Sequence, residues 1–61
     1  MQKYEYRIVT ANGEKFWDAG KKAEKEMNAM ALDGWRAISV DYFCEDEEPW
    51  HYANITFERE I

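Results

Sequence analysis

The sequence predicts an α+β domain of order β-α-β-β: one helix packed on a three-stranded antiparallel sheet, strand order 1-3-2, built around a split β-α-β unit. Three observations lead there. Three segments alternate in polarity with period two. A segment between the first and second of these carries an apolar stripe at helical spacing. Punctuation is sparse, with glycine only at 13, 20 and 34 and proline only at 49, so few chain breaks are available. A chain of 61 residues makes one domain, residues 1–61.

The first strand is expected over residues 3–10, Lys-Tyr-Glu-Tyr-Arg-Ile-Val-Thr. Tyr4, Tyr6 and Ile8 form the inward set, and Lys3, Glu5, Arg7 and Val9 the outward set. Ala11-Asn12-Gly13-Glu14 reads as a turn, because Asn-Gly tolerates positive φ. A helix follows over 18–33 with Asp18 as its N-cap. Its apolar stripe is Ala23, Met27 and Met30 with Ala31 alongside; Lys21, Lys22, Glu24, Lys25 and Glu26 take the other side. The helix stop is the sharpest local signal. Leu32-Asp33-Gly34-Trp35 puts Gly34 at C′, where a left-handed residue is required, and Trp35 at C″, where it can return to Met30.

The second strand, 36–43, places Ile38, Val40 and Tyr42 inward and Ala37, Ser39, Asp41 and Phe43 outward. A polar connection, Cys44 to Pro49, leads to a third strand over 50–59. There His51, Ala53, Ile55 and Phe57 share one face, and Trp50, Tyr52, Asn54, Thr56 and Glu58 the other. A helix of about four turns returns the chain to where the first strand began, so the second strand runs parallel to the first. The third, reached through a hairpin, is antiparallel to both. Placed centrally, where its apolar set suits it, it makes every neighbour antiparallel and the crossover right-handed.

One helix covers one side of such a sheet. The inner set is expected to meet Ala23, Met27, Met30 and Trp35, while the other side keeps Val9, Ala37, Phe43, Trp50 and Tyr52. A continuous exposed apolar patch marks an interaction surface. These five residues are therefore the interface candidates. Gly34 and Trp35 are assigned a structural role, as a helix stop and its anchoring ring.

Composition narrows the function classes. A chain this short buries about 60% of the surface its unfolded form exposes, so its own core stabilises it little. Cys44 is the only cysteine, which excludes an intrachain disulfide, and with the single His51 it cannot complete a four-ligand zinc site. That leaves packing and self-association. The net charge of −5 disfavours nucleic-acid phosphates and anionic lipid as direct partners. Met1-Gln2-Lys3-Tyr4-Glu5 has no apolar h-region and no run has the length of a membrane span, so neither secretion nor membrane insertion is expected.

Chemistry-bearing residues are few. Cys44 and His51 with Glu45 or Asp46 would make a poor metal site, and the acids after Cys44 disfavour a thiolate. The simpler account is an edge histidine and a small buried thiol. Glu45, Asp46, Glu47 and Glu48 are contiguous and lack the turn glycine of a calcium loop. They read as a solvated loop that discourages edge pairing or, alternatively, as an acidic imitation of nucleic acid. Phe43, Trp50 and Tyr52 are rings of the kind that stack on bases, but the basic residues needed to meet phosphates are outnumbered locally. No phosphate-binding glycine loop occurs. Neither enzymatic activity nor a cofactor is expected.

The run Tyr4-Glu5-Tyr6-Arg7-Ile8-Val9, the helix ending Asn28…Leu32-Asp33-Gly34-Trp35, the segment Ile38-Ser39-Val40 and the closing Phe57-Glu58-Arg59 together resemble a family of short bacterial and phage proteins, domain-of-unknown-function family 4177. The resemblance covers most of residues 3–59, and the Gly-Trp junction is its most specific element. It departs at Arg36, where the family usually has Glu, and in the acidic hairpin loop. It implies the β-α-β-β fold and no activity. The expectation is a non-catalytic interaction module, self-associating as a homodimer in a bacterial or phage-infected cytoplasm, with a further protein partner of unspecified identity. Two other classes stand beside it. One is a phage-type inhibitor of a host enzyme, acting by protein binding or through its acidic loop. The other is a small-ligand binder with a pocket between subunits.

Overall fold

A computed structural model of the chain describes residues 3–45 and 49–61. Strand β1 runs over Tyr4–Gly13, helix α1 over Phe16–Ala31, strand β2 over Arg36–Cys44 and strand β3 over His51–Glu60. The sheet order is β1-β3-β2, with both pairings antiparallel. This is the expected architecture. The central strand carries the core: Ala53, Ile55 and Phe57 are fully buried. Ala11, Ala23 and Trp35 join them, and Val9, Met27, Met30 and Val40 pack against the cluster.

The helix starts two residues earlier than expected. Its N-cap is Lys15, whose side chain makes no capping bond; Asp18 sits in the first turn, where a carboxylate suits the helix dipole. At the other end Trp35 N–H donates to the Met30 carbonyl at 3.1 Å and Gly34 N–H to the Ala31 carbonyl at 3.0 Å. Gly34 has φ +85°. This is the expected Schellman ending, bond for bond.

The facing of β1 is the reverse of the expectation. Tyr4, Tyr6 and Ile8 are exposed, while Val9 packs against the core beneath α1. The reason lies in residues 11–13, which continue the strand instead of turning. Ala11 and Gly13 lie on the same side as Val9 and let the helix approach closely. A Cβ built on Gly13 would stand 2.6 Å from the Asp18 Cβ and 2.8 Å from the Ala19 backbone nitrogen. Only a glycine fits, and that contact fixes the phase of the whole strand.

Strand β2 departs at one point. Its register with β3 shifts between Ala37 and Ser39, so Ile38 is the extra residue of a bulge. Ala37 consequently stands opposite Phe57 on the helix side, and Ile38 is exposed instead of inward. Beyond the bulge Val40 and Tyr42 face the helix side, opposite Ile55 and Ala53, as expected.

A helix is about 10 Å wide and strands are about 4.8 Å apart, so one helix covers two strands. Here α1 packs chiefly on β1, less on β3 and least on β2. The result is a thin slab, 46 × 19 × 10 Å in Cα extent.

Candidate functional site

Three surfaces hold the side chains with chemistry or binding potential. The first is the open side of the sheet. Cross-strand partners share a face, so Tyr4, Tyr6 and Ile8 lie there with Phe43 and Tyr52. Phe43 and Tyr52 are directly paired and their rings stack, with centroids 5.1 Å apart and planes 15° apart. The polar groups between them are satisfied laterally. The Thr10 hydroxyl donates to Asn54 Oδ1 at 2.6 Å, and Arg36 pairs with Glu58 at 2.7 Å. Tyr6 neighbours the same glutamate, and its phenol is pushed above its ordinary range, by lost hydration first and then by the charge and hydrogen bond of Glu58.

Of the five interface candidates, Phe43 and Tyr52 are on this face. Val9 and Ala37 are not: Val9 belongs to the core and Ala37 to the helix side, for the reasons of phase and bulge given above. Trp50 is not either. It precedes β3 and lines a depression with Gly13, Glu14, Asp18, Lys21 and Lys22, beside the start of the helix. The residues missed are Tyr4, Tyr6 and Ile8. The signal that would have placed them outward is the small-residue set Ala11, Gly13 and Ala53, which matches Ala19 and Ala23 on the helix.

The second surface is a groove of about 420 Å³ between α1 and β2, where the helix leaves the outer strand uncovered. Phe16, Trp17 and Gly20 form one wall; Tyr42, Cys44 and His51 form the other, with Phe43 and Tyr52 completing the lining. Phe16 meets Trp17 edge-on at 5.2 Å and His51 at 6.5 Å. Cys44 stands opposite His51 in the ladder, but it is exposed, not buried as expected, because the helix does not extend over this end of β2. Among the described residues no three His, Cys, Asp or Glu side chains cluster as metal ligands.

The third surface surrounds Trp35. Its buried ring lies 4.4 Å from the Arg59 guanidinium carbon and 5.1 Å from that of Arg7. Arg59 also donates to the Asp33 carbonyl at 3.1 Å and through Nε to Glu5 at 2.9 Å. These contacts serve the fold, since the Arg59 cation both lies on an aromatic face and holds the Asp33 carbonyl in the turn that ends the helix. Gly34 and Trp35 therefore hold the structural role expected of them. Of the acidic-loop candidates, Glu45 is exposed; Asp46, Glu47 and Glu48 lie outside the described residues.

A helix on an antiparallel three-stranded sheet with order β1-β3-β2 defines a two-layer α+β protein. The chain belongs to the family described as domain of unknown function (DUF4177), whose model matches residues 4–60. No curated protein and no solved structure matches it. No helix among the described residues is long and apolar enough to cross a membrane.

Proposed function

We propose that the protein is a non-catalytic interaction module that self-associates as a homodimer through the side of the sheet its helix leaves uncovered or through an exposed strand edge. The observation that carries this is the exposure of Tyr4, Tyr6, Ile8 and Phe43 on the one side of the sheet that the helix does not cover. Aromatic side chains of this kind are enriched in interface cores. Size supports the reading. The chain exposes 4752 Å², whereas a folded monomer of its mass exposes about 4,200 Å². Among the described residues two large side chains, Ile55 and Phe57, are fully buried, which is a small core for independent stability. An exposed free cysteine suits a reducing compartment, and the setting in this reading is the cytoplasm of a bacterial or phage-infected cell. Analytical ultracentrifugation at tens of micromolar checks it. The expected mass is twice the 7.3 kDa of the chain, falling on dilution; a constant 7.3 kDa refutes the homodimer.

The groove between α1 and β2 favours a second reading, a small apolar ligand held by Phe16, Trp17 and Tyr42. Mass spectrometry of the protein purified under native conditions distinguishes it, through a co-purified small molecule. The acidic-inhibitor reading is distinguished by salt, since binding through charge mimicry weakens steeply as ionic strength rises.

A further inference from the structure

We propose that the dimer forms by antiparallel pairing of β1 with β1 of a second copy, about a two-fold axis at Tyr6, giving a continuous six-stranded sheet. This rests on the homodimer reading above, places the contact at the strand edge instead of across the open face, and adds the strand, the register and the contacts.

The two outer strands are not equivalent. β2 carries the bulge at Ile38, a feature that protects an edge from further pairing. β1 pairs with β3 over its whole length without a register shift, contains no proline, and has β3 on one side only. A long outer strand paired without a register shift and carrying exposed Tyr6 and Ile8 is a template for another strand.

Backbone direction then limits the registers. Ile61 N–H donates to the Lys3 carbonyl at 2.8 Å, so Lys3 and, by alternation, residues 5, 7, 9 and 11 turn their backbone groups toward β3. The even residues turn theirs outward. A symmetric β1 pair must therefore match even residues with even and odd with odd. An axis at residue 5 sets Glu5 against Glu5 of the other copy, and an axis at 7 sets Arg7 against Arg7; like charges directly opposite are destabilising. An axis at 8 leaves both charges facing apolar residues. An axis at 6 sets Glu5 against Arg7 of the second copy, twice, at the closer non-hydrogen-bonded positions. On the open face it sets Tyr4 against Ile8 and Tyr6 against Tyr6, joining six exposed apolar side chains.

The helix leaves room for this register. Its start lies against Gly13, and the ring of Trp35, just past its end, reaches Arg7. Residues 4–6 extend past the helix, so an axis at Tyr6 brings the sheets together where the two helices do not meet.

The test uses two kinds of variant. Tyr6→Pro removes an N–H that points away from β3, so the ladder within the chain is retained while the ladder between copies is broken. Sedimentation should shift from twice the chain mass to the chain mass, with the far-ultraviolet spectrum unchanged. Cysteine pairs read the register in a Cys44→Ser background. Across the axis the two Tyr6→Cys positions have Cα atoms about 5.5 Å apart, within disulfide reach, whereas two Ile8→Cys positions are about 14 Å apart. Oxidation should convert the Tyr6→Cys protein to covalent dimer and leave the Ile8→Cys protein monomeric on a denaturing gel. Crosslinking of Ile8→Cys instead overturns the register. A dimer that survives Tyr6→Pro and crosslinks at neither position overturns the edge contact while the homodimer stands. A parent protein that is monomeric at tens of micromolar removes both.

Discussion

Glycines 34 and 13 are constrained by different physics, and substitution separates them. At Gly34 the constraint is the backbone: φ is +85°, and an added Cβ would meet only Arg59 methylenes at 3.6 and 4.0 Å. Gly34→Ala is expected to cost about 1 kcal/mol, the strain of a left-handed alanine. At Gly13 the constraint is the neighbouring helix, since the added carbon would overlap the Asp18 Cβ and two backbone atoms. Gly13→Ala is expected to cost more, about 1–3 kcal/mol or beyond, because backbone must move. Urea melts of both variants check the order. Gly34 was legible in the sequence because its cause is local, a hydrogen-bond pattern within six residues. Gly13 read as a turn glycine because its cause is a contact that exists only after the helix docks. Arg59 offers a third test. Arg59→Ala removes the stack on Trp35, the bond to the Asp33 carbonyl and the pair with Glu5. Partly solvated contacts of these kinds sum to about 1–2 kcal/mol, read as a lower melting temperature with altered tryptophan fluorescence.

At the scale of elements, the helix meets the sheet through alanines. Ala19 and Ala23 are fully buried against a surface that includes Ala11 and Ala53. Ala23→Leu should therefore destabilise by about 1–3 kcal/mol through overpacking. Ala29→Leu, on the exposed side of the same helix, should shift stability by no more than about 0.5 kcal/mol. Thermal melts compare the two. The same alanines explain what was legible. The element types and their order followed from periodicity, and the central place of β3 followed from its apolar set. The facing of β1 did not, because Tyr4-Tyr6-Ile8 outweighs Val9-Ala11-Gly13 in apolar bulk. The fold chooses the smaller set, since a helix needs close approach more than it needs rings. The bulge at Ile38 left no mark in composition either; it became visible only through the register with β3.

For the whole molecule, stability should depend on concentration. A folded dimer gains free energy by mass action, so the melting temperature should rise over a hundredfold concentration series, and a flat series would favour a self-sufficient monomer. Trp50→Ser is expected to leave the assembly state intact, because Trp50 lies by the start of the helix beside Gly13, at the other end of β1 from Tyr6. A loss of dimer in that variant would move the interface to the helix side. Alkaline pH adds one more signature. The phenol of Tyr6 is pushed upward in the folded chain, so its contribution is present below the ordinary tyrosine range and is lost as pH rises through the elevated value. Tyr6→Phe should abolish that part of the decline.

The pairing of Tyr4 with Glu60 joins residues from opposite ends of the fold, and the partner of β1 is the last strand to be made. A nascent chain can form α1 and then the β2–β3 hairpin from local contacts. β1 cannot close the sheet until β3 has emerged from the ribosome. Closing contacts of such high sequence separation set a slow step, in the millisecond-to-second range typical of non-local β pairing. Throughout that interval β1 lacks β3 beside it. The same strand that completes the fold is thus the segment most exposed to mispairing during synthesis, and chaperone demand should follow its sequence more closely than that of the helix.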